Sequence, residues 1–135
     1  MTTNHHAALI HTMVLMAAAD RDMTDAEMAS IGDMVAHLPV FRDFDRSKIA
    51  ATAAGCVDLL NQKDGLDKVL AEIKKSLPEK LRETAYALAC DVAAADGKVS
   101  QEEARLLDLI RFSLAIGKLP AAAIERGARA RHLTI

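Results

Sequence analysis

The chain has 135 residues, with seventeen Lys and Arg against nineteen Asp and Glu, for a formal charge of −2. That near-balance is a poor fit to a strongly basic nucleic-acid binder, a polybasic membrane-surface protein or a highly charged disordered tail. The length suits a single domain over residues 1–135, and 51% hydrophobic residues with only 3% aromatics imply a core of Ala, Leu, Ile, Val and Met.

Hydrophobic periodicity is helical almost throughout. Leu9, Met13, Met16 and Ala17 hold one helix face over about residues 5–19, and Val14, Leu15 and Ala18 fill much of the other side, so this helix should be buried around most of its circumference. Thr24 and Glu27 have the spacing of a capping box, opening a helix that turns Met28, Ile31, Met34, Val35 and Leu38 inward and stops before Pro39. A short irregular link through Phe41 and Phe44 leads to Asp45 as an N-cap and a third helix carrying Ile49, Ala53, Cys56, Val57 and Leu60, ending near Asn61. Asp64 and Gly65 mark a turn, and Leu66, Val69, Leu70, Ile73 and Leu77 make a fourth stripe. Pro78 fits the first turn of a fifth helix, on which Leu81, Ala85, Leu88, Ala89 and Val92 face a core. Ser100 with Glu103 repeats the capping box before Leu106, Leu107, Ile110 and Leu114. Gly117 closes that helix, and Pro120 begins a last one bearing Arg126, Arg129 and Arg131. No segment alternates with period two, so the predicted fold is all-α with about seven helices.

A shift of 76 positions lays Ala17-Ala18-Ala19-Asp20 on Ala93-Ala94-Ala95-Asp96, Met23-Thr24 on Val99-Ser100 and Glu27 on Glu103. Ile31, Met34 and Leu38 then meet Leu107, Ile110 and Leu114, so the match covers a helix-turn-helix unit. Two such units, about residues 6–38 and 82–116, predict a pseudo-twofold pair of hairpins around a central helix pair.

This doubled motif of small residues, Asp, a hydrophobic residue, Ser or Thr and Glu resembles the tellurite-resistance TerB family. The resemblance runs from about His6 to Ile116 and is carried most by Ala93-Ala94-Ala95-Asp96-Gly97-Lys98-Val99-Ser100-Gln101-Glu102-Glu103. It implies an all-helical fold, a cytoplasmic bacterial protein, a part in tellurite resistance or related stress responses, and an acidic metal site. The first copy has Arg21 where the second has Gly97, so the two turns are not equivalent.

Asp20, Asp22, Asp25 and Glu27, and then Asp96, Glu102 and Glu103, supply hard oxygen ligands of the kind that Ca²⁺, Mg²⁺ or Mn²⁺ accept. The candidate metal ligands are Asp20, Asp22, Glu27, Asp96 and Glu103, with Ca²⁺ or Mg²⁺ as the cation. Neither turn is an EF-hand, because the sixth and twelfth positions are Asp25 and Ile31 in one and Gln101 and Leu107 in the other. The same residues also suit plain helix capping, and both readings stand at this point. His5, His6 and His11 lack the i, i+4 spacing of a zinc pair, and no Cys lies in a CxxC motif.

Cys56 and Cys90 fall in apolar stretches and read as packed thiols. The Arg126, Arg129, Arg131 and His132 cluster complements a helix carboxyl end, and no nucleic-acid partner is expected. Without a Ser-His-Asp order, a Gly-rich phosphate loop or a dinucleotide fingerprint, the chain reads as a non-catalytic interaction module with a protein partner in a stress-response complex. The alternative is a small metal-dependent enzyme using the same carboxylates, which requires both turns to converge on an open cleft with room for water. Two cysteines and no leader-like start point to a reducing cytoplasm. The apolar run from Met13 to Ala19 falls far short of the roughly 20 residues of a membrane span, so no membrane insertion is expected.

Overall fold

The computed structural model describes residues 4–19, 24–95 and 99–135, which form seven α-helices and three 3₁₀ turns, with no strand among them. Helix α1 (His5–Ala17) starts at Asn4, whose side chain accepts the Ala7 amide at 2.9 Å, and ends two residues earlier than the periodicity suggested, with Ala18 as C-cap. From Ala8 to Ala17 every residue except His11 is buried. Thr12 is among them because its hydroxyl donates to the Ala8 carbonyl at 2.8 Å, which satisfies a polar group within the helix itself.

Helix α2 (Asp25–His37) begins at the Thr24 capping box. The link after it is more ordered than the irregular segment expected from sequence: it forms 3₁₀ turns at Pro39–Phe41 and Arg46–Lys48. Phe41 and Phe44 close on the His6 ring at centroid distances of 5.7 and 5.2 Å, and His6 Nε2 donates to the Val40 carbonyl at 2.9 Å. Asp45 is a cap, accepting the Ser47 amide at 3.0 Å, but it caps the 3₁₀ turn that leads into α3 (Ile49–Leu60).

In the turn before α4 (Gly65–Ser76) the left-handed residue is Asp64, at φ 56°, and not the glycine. Gly65 is required for another reason: a Cβ there would lie 2.1 Å from the Leu60 carbonyl oxygen. Pro78 precedes a 3₁₀ turn, Glu79–Leu81, and α5 (Arg82–Ala94) starts only after it. Helix α6 (Gln101–Ser113) is followed by α7 (Lys118–Arg131), and here Gly117 does not close α6 but occupies the N-cap of α7. The closing residue is Ala115 at φ 56°. Its N–H donates to the Phe112 carbonyl and that of Ile116 to the Arg111 carbonyl, both at 3.1 Å, the two bonds of a Schellman ending. Pro120 is the third residue of α7, where a missing N–H breaks no helical bond.

Helices α1 and α5 pack on each other more extensively than any other pair and form the centre of the fold. Ala8, Ala85, Ala89 and Ala93 are all buried, and such small side chains permit close approach of backbones. Helices α2, α3 and α4 pack around α1, while α6 and α7 pack on α5. Among the described residues, no helix is long and apolar enough to cross a membrane.

Candidate functional site

Both repeated turns end in a closed capping box. The Glu27 N–H donates to Thr24 Oγ1 at 3.1 Å, and the Thr24 N–H donates to Glu27 Oε1 at 2.8 Å. In the second copy the Glu103 N–H donates to Ser100 Oγ at 3.1 Å and the Ser100 N–H to Glu103 Oε1 at 3.0 Å. Each glutamate thus accepts a backbone amide of its own cap. Glu103 is buried and Glu27 half-buried, and Asp25 and Glu102 stand exposed in the first turns of their helices, where the positive helix end favours them. Asp20, Asp22 and Asp96 lie outside the described residues, as do Arg21 and Gly97. Among the described residues no three His, Cys, Asp or Glu side chains are grouped so as to hold a metal ion.

A groove of about 660 Å³ lies between the carboxyl end of α1 and the first turn of α6. Ala18 and Ala19, the last described residues before the first acidic segment, line it together with Gln101 and Glu102 of the second capped helix. The carboxyl end of α1 therefore stands beside the amino end of α6, with Leu66 and Leu106 among the apolar walls. Helices α1, α3 and α5 have no basic residue in their last turns, whereas α2, α4, α6 and α7 do. Arg105 lines the groove beside the end of α1, Arg131 pairs with Asp91 in the last turn of α5, and each of these two helices is followed in sequence by an aspartate.

Several other chemistry-bearing residues have structural partners. Cys56 is fully buried, its thiol donating to the His11 carbonyl at 3.8 Å, and burial pushes it up to about 12. Cys90 is also pushed up to about 12, by burial first and then by the Glu125 charge. Both are overwhelmingly protonated at neutral pH, and a protonated thiol is a poor nucleophile. At the carboxyl end, Arg131 Nη2 meets Asp91 Oδ1 at 2.6 Å, with His132 Nε2 at 3.5 Å from the same oxygen. Sequence reasoning passed over Tyr86, whose hydroxyl donates to Glu125 Oε2 at 2.5 Å. It is the one tyrosine in the chain, set in an apolar stripe, and a phenol there needs a partner.

A central pair of helices, each leading to a turn closed by a Thr or Ser with a Glu three residues on, defines a small all-helical domain whose distinguishing chemistry sits at those two turns. The model of the family described as tellurite resistance protein TerB matches residues 6–125, and the chain belongs to that family. Among curated proteins and among solved structures there is no match to the chain. The family match continues past Ile116 into α7 and stops before Arg126.

Proposed function

We propose that this chain is a non-catalytic helical interaction module acting with a protein partner in a cytoplasmic tellurite-resistance or general stress response, tuned by Ca²⁺ or Mg²⁺ at its two acidic segments. Family membership supports the association with tellurite resistance. The observation that carries the cation reading is the shared groove, in which the end of α1 meets the first turn of α6 and so brings the approaches to both segments to one region of the fold. The donors are all oxygen, the set that Ca²⁺ and Mg²⁺ prefer, with Asp20, Asp22, Glu27, Asp96 and Glu103 as the ligands. The non-catalytic part rests on chemistry: both thiols are held protonated, and the capping glutamates are bonded to backbone amides.

Titration of the protein with Ca²⁺ and with Mg²⁺, followed by backbone amide NMR, tests the reading. Saturable shifts confined to residues 18–27 and 95–103 support it. Spectra that stay unchanged at both segments, at cation concentrations that leave the fold intact, remove the cation from the account and leave the turns as capping structure.

A further inference from the structure

We propose that a second groove, floored by α5 and walled by α6 and α7, is a binding site for a carboxylate amphiphile, a molecule with an apolar tail and a single carboxylate head. This groove is separate from the acidic turns and rests on different residues. Helices α6 and α7 both pack on α5 but scarcely on each other, which leaves a cleft of about 660 Å³ between them. That volume is in the range of small-molecule sites, roughly 300 to 1,000 Å³.

The cause of the cleft is visible in the repeat. The buried stripe of α2 runs through Ile31 and Val35, positions that correspond to Leu107 and Arg111 in α6. In α6 the buried residues are instead Glu103, Leu106 and Ile110, so the buried stripe falls one position earlier. Leu107 is left only half-buried. Side chains shrink or become polar at the same place: Ala104 stands where the first copy has Met28, Cys90 where it has Val14, and Tyr86 where it has Ile10. Val99 is 50% exposed and Leu133 72% exposed at the groove's edge, apolar surface that an occupant would cover.

Charge selects the head group. Arg126 and Arg129 line the groove one helical turn apart on α7, both are exposed, and neither forms an ion pair among the described residues. The acids nearby are differently placed: Glu125 is held by Tyr86, Asp91 by Arg131 and His132, and Asp108 faces from the α6 wall. Two free guanidiniums on one edge are a fork for a carboxylate, and the alanine floor of Ala93 and Ala94 takes the tail. Both arginines lie beyond residues 6–125, which match the family model.

Dodecanoate below its micelle concentration is the test ligand, with dodecyltrimethylammonium, a cation of the same tail length, as comparison, both followed by backbone NMR. Dodecanoate should shift amides of residues 90–94, 104–108 and 126–133 saturably, and the ammonium compound should not. The double variant Arg126→Glu/Arg129→Glu, on exposed positions, should weaken dodecanoate binding by about tenfold or more, the loss of charge-assisted hydrogen bonds. Ala104→Phe, shown folded by circular dichroism, should block the groove. The proposal is overturned by equal binding of the two amphiphiles, or by dodecanoate shifts centred on the other groove at Leu15, Leu66 and Leu109. It is equally overturned by affinity that survives the arginine exchange, by the absence of binding, or by shifts that depend on protein concentration alone, which would assign the groove to a second copy of the chain.

Discussion

The Tyr86 hydroxyl reaches Glu125 Oε2 at 2.5 Å and fastens the middle of α5 to α7 through a phenol that is 1% exposed. Burial and this hydrogen bond push the phenol's ionisation well above its usual range. Tyr86→Phe should lower stability by about 1.5 kcal/mol, since a hydrogen bond to a charged acceptor is lost while the exposed carboxylate regains water. Glu125→Gln, which keeps an acceptor oxygen, should cost less. Urea midpoints for the two variants check the order, and equal midpoints for wild type and Tyr86→Phe would show that the bond adds nothing.

The capping boxes should be worth a measurable share of stability in both copies. Thr24→Ala and Ser100→Ala are each expected to cost about 1 kcal/mol. The second should cost at least as much, because the N–H of buried Glu103 loses the Ser100 Oγ acceptor, whereas Glu27 is half-buried. Thermal melts of both single variants and the double give the answer, and unchanged midpoints would mean the two helix starts do not depend on these side chains.

Two backbone positions should respond in opposite directions. Ala115 holds a left-handed conformation that glycine adopts more readily, so Ala115→Gly should raise stability by about 0.5–1 kcal/mol despite the greater entropy of the unfolded chain. Gly65→Ala places a methyl against the Leu60 carbonyl and should cost more than about 2 kcal/mol, because backbone and not a movable side chain must yield. Chemical denaturation of the pair reads both signs in one experiment.

These two positions also mark how far the sequence can be read. Helix existence and the two capping boxes follow from local rules, since Thr24 with Glu27 and Ser100 with Glu103 contain in four residues everything the cap needs. The α6 ending does not, because Gly117 is the local favourite for a helix stop, and only the burial of Ile116 explains why the chain turns two residues earlier at an alanine. The buried stripe of α6, one position earlier than that of α2, and the Tyr86–Glu125 bond are tertiary facts with no short-range signal. Of the five candidate ligands, Glu27 and Glu103 were legible as caps from spacing alone. Asp20, Asp22 and Asp96 belong to segments outside the described residues, so their chemistry is a matter for solution measurement.

The buried thiols make stability fall at alkaline pH. Cys56 and Cys90 are pushed up to about 12 in the folded protein, against 9.0 for an exposed thiol. Between these values the unfolded chain has lost protons that the folded chain keeps, so the contribution is fully present below pH 9 and is lost as pH rises towards 12. The slope approaches about 1.4 kcal/mol per pH unit for each thiol. Urea midpoints measured from pH 8 to 11 should therefore decline, and a Cys56→Ala/Cys90→Ala variant, less stable at pH 7, should show a shallower decline. Parallel pH profiles would assign the alkaline loss to other groups.

The proposed divalent cation at the acidic segments is tested most directly by the melting temperature in Ca²⁺ against chelator. Wild type should be stabilised by Ca²⁺, by about 2.7 kcal/mol once free metal reaches a hundred times its dissociation constant. Asp96→Asn keeps a side chain that caps nearly as well as Asp but removes a ligand charge, so it should melt like wild type in chelator and lose the Ca²⁺ response, with Asp20→Asn weakening that response. Superimposable curves in Ca²⁺ and in chelator, for wild type and for both variants, would contradict the cation site.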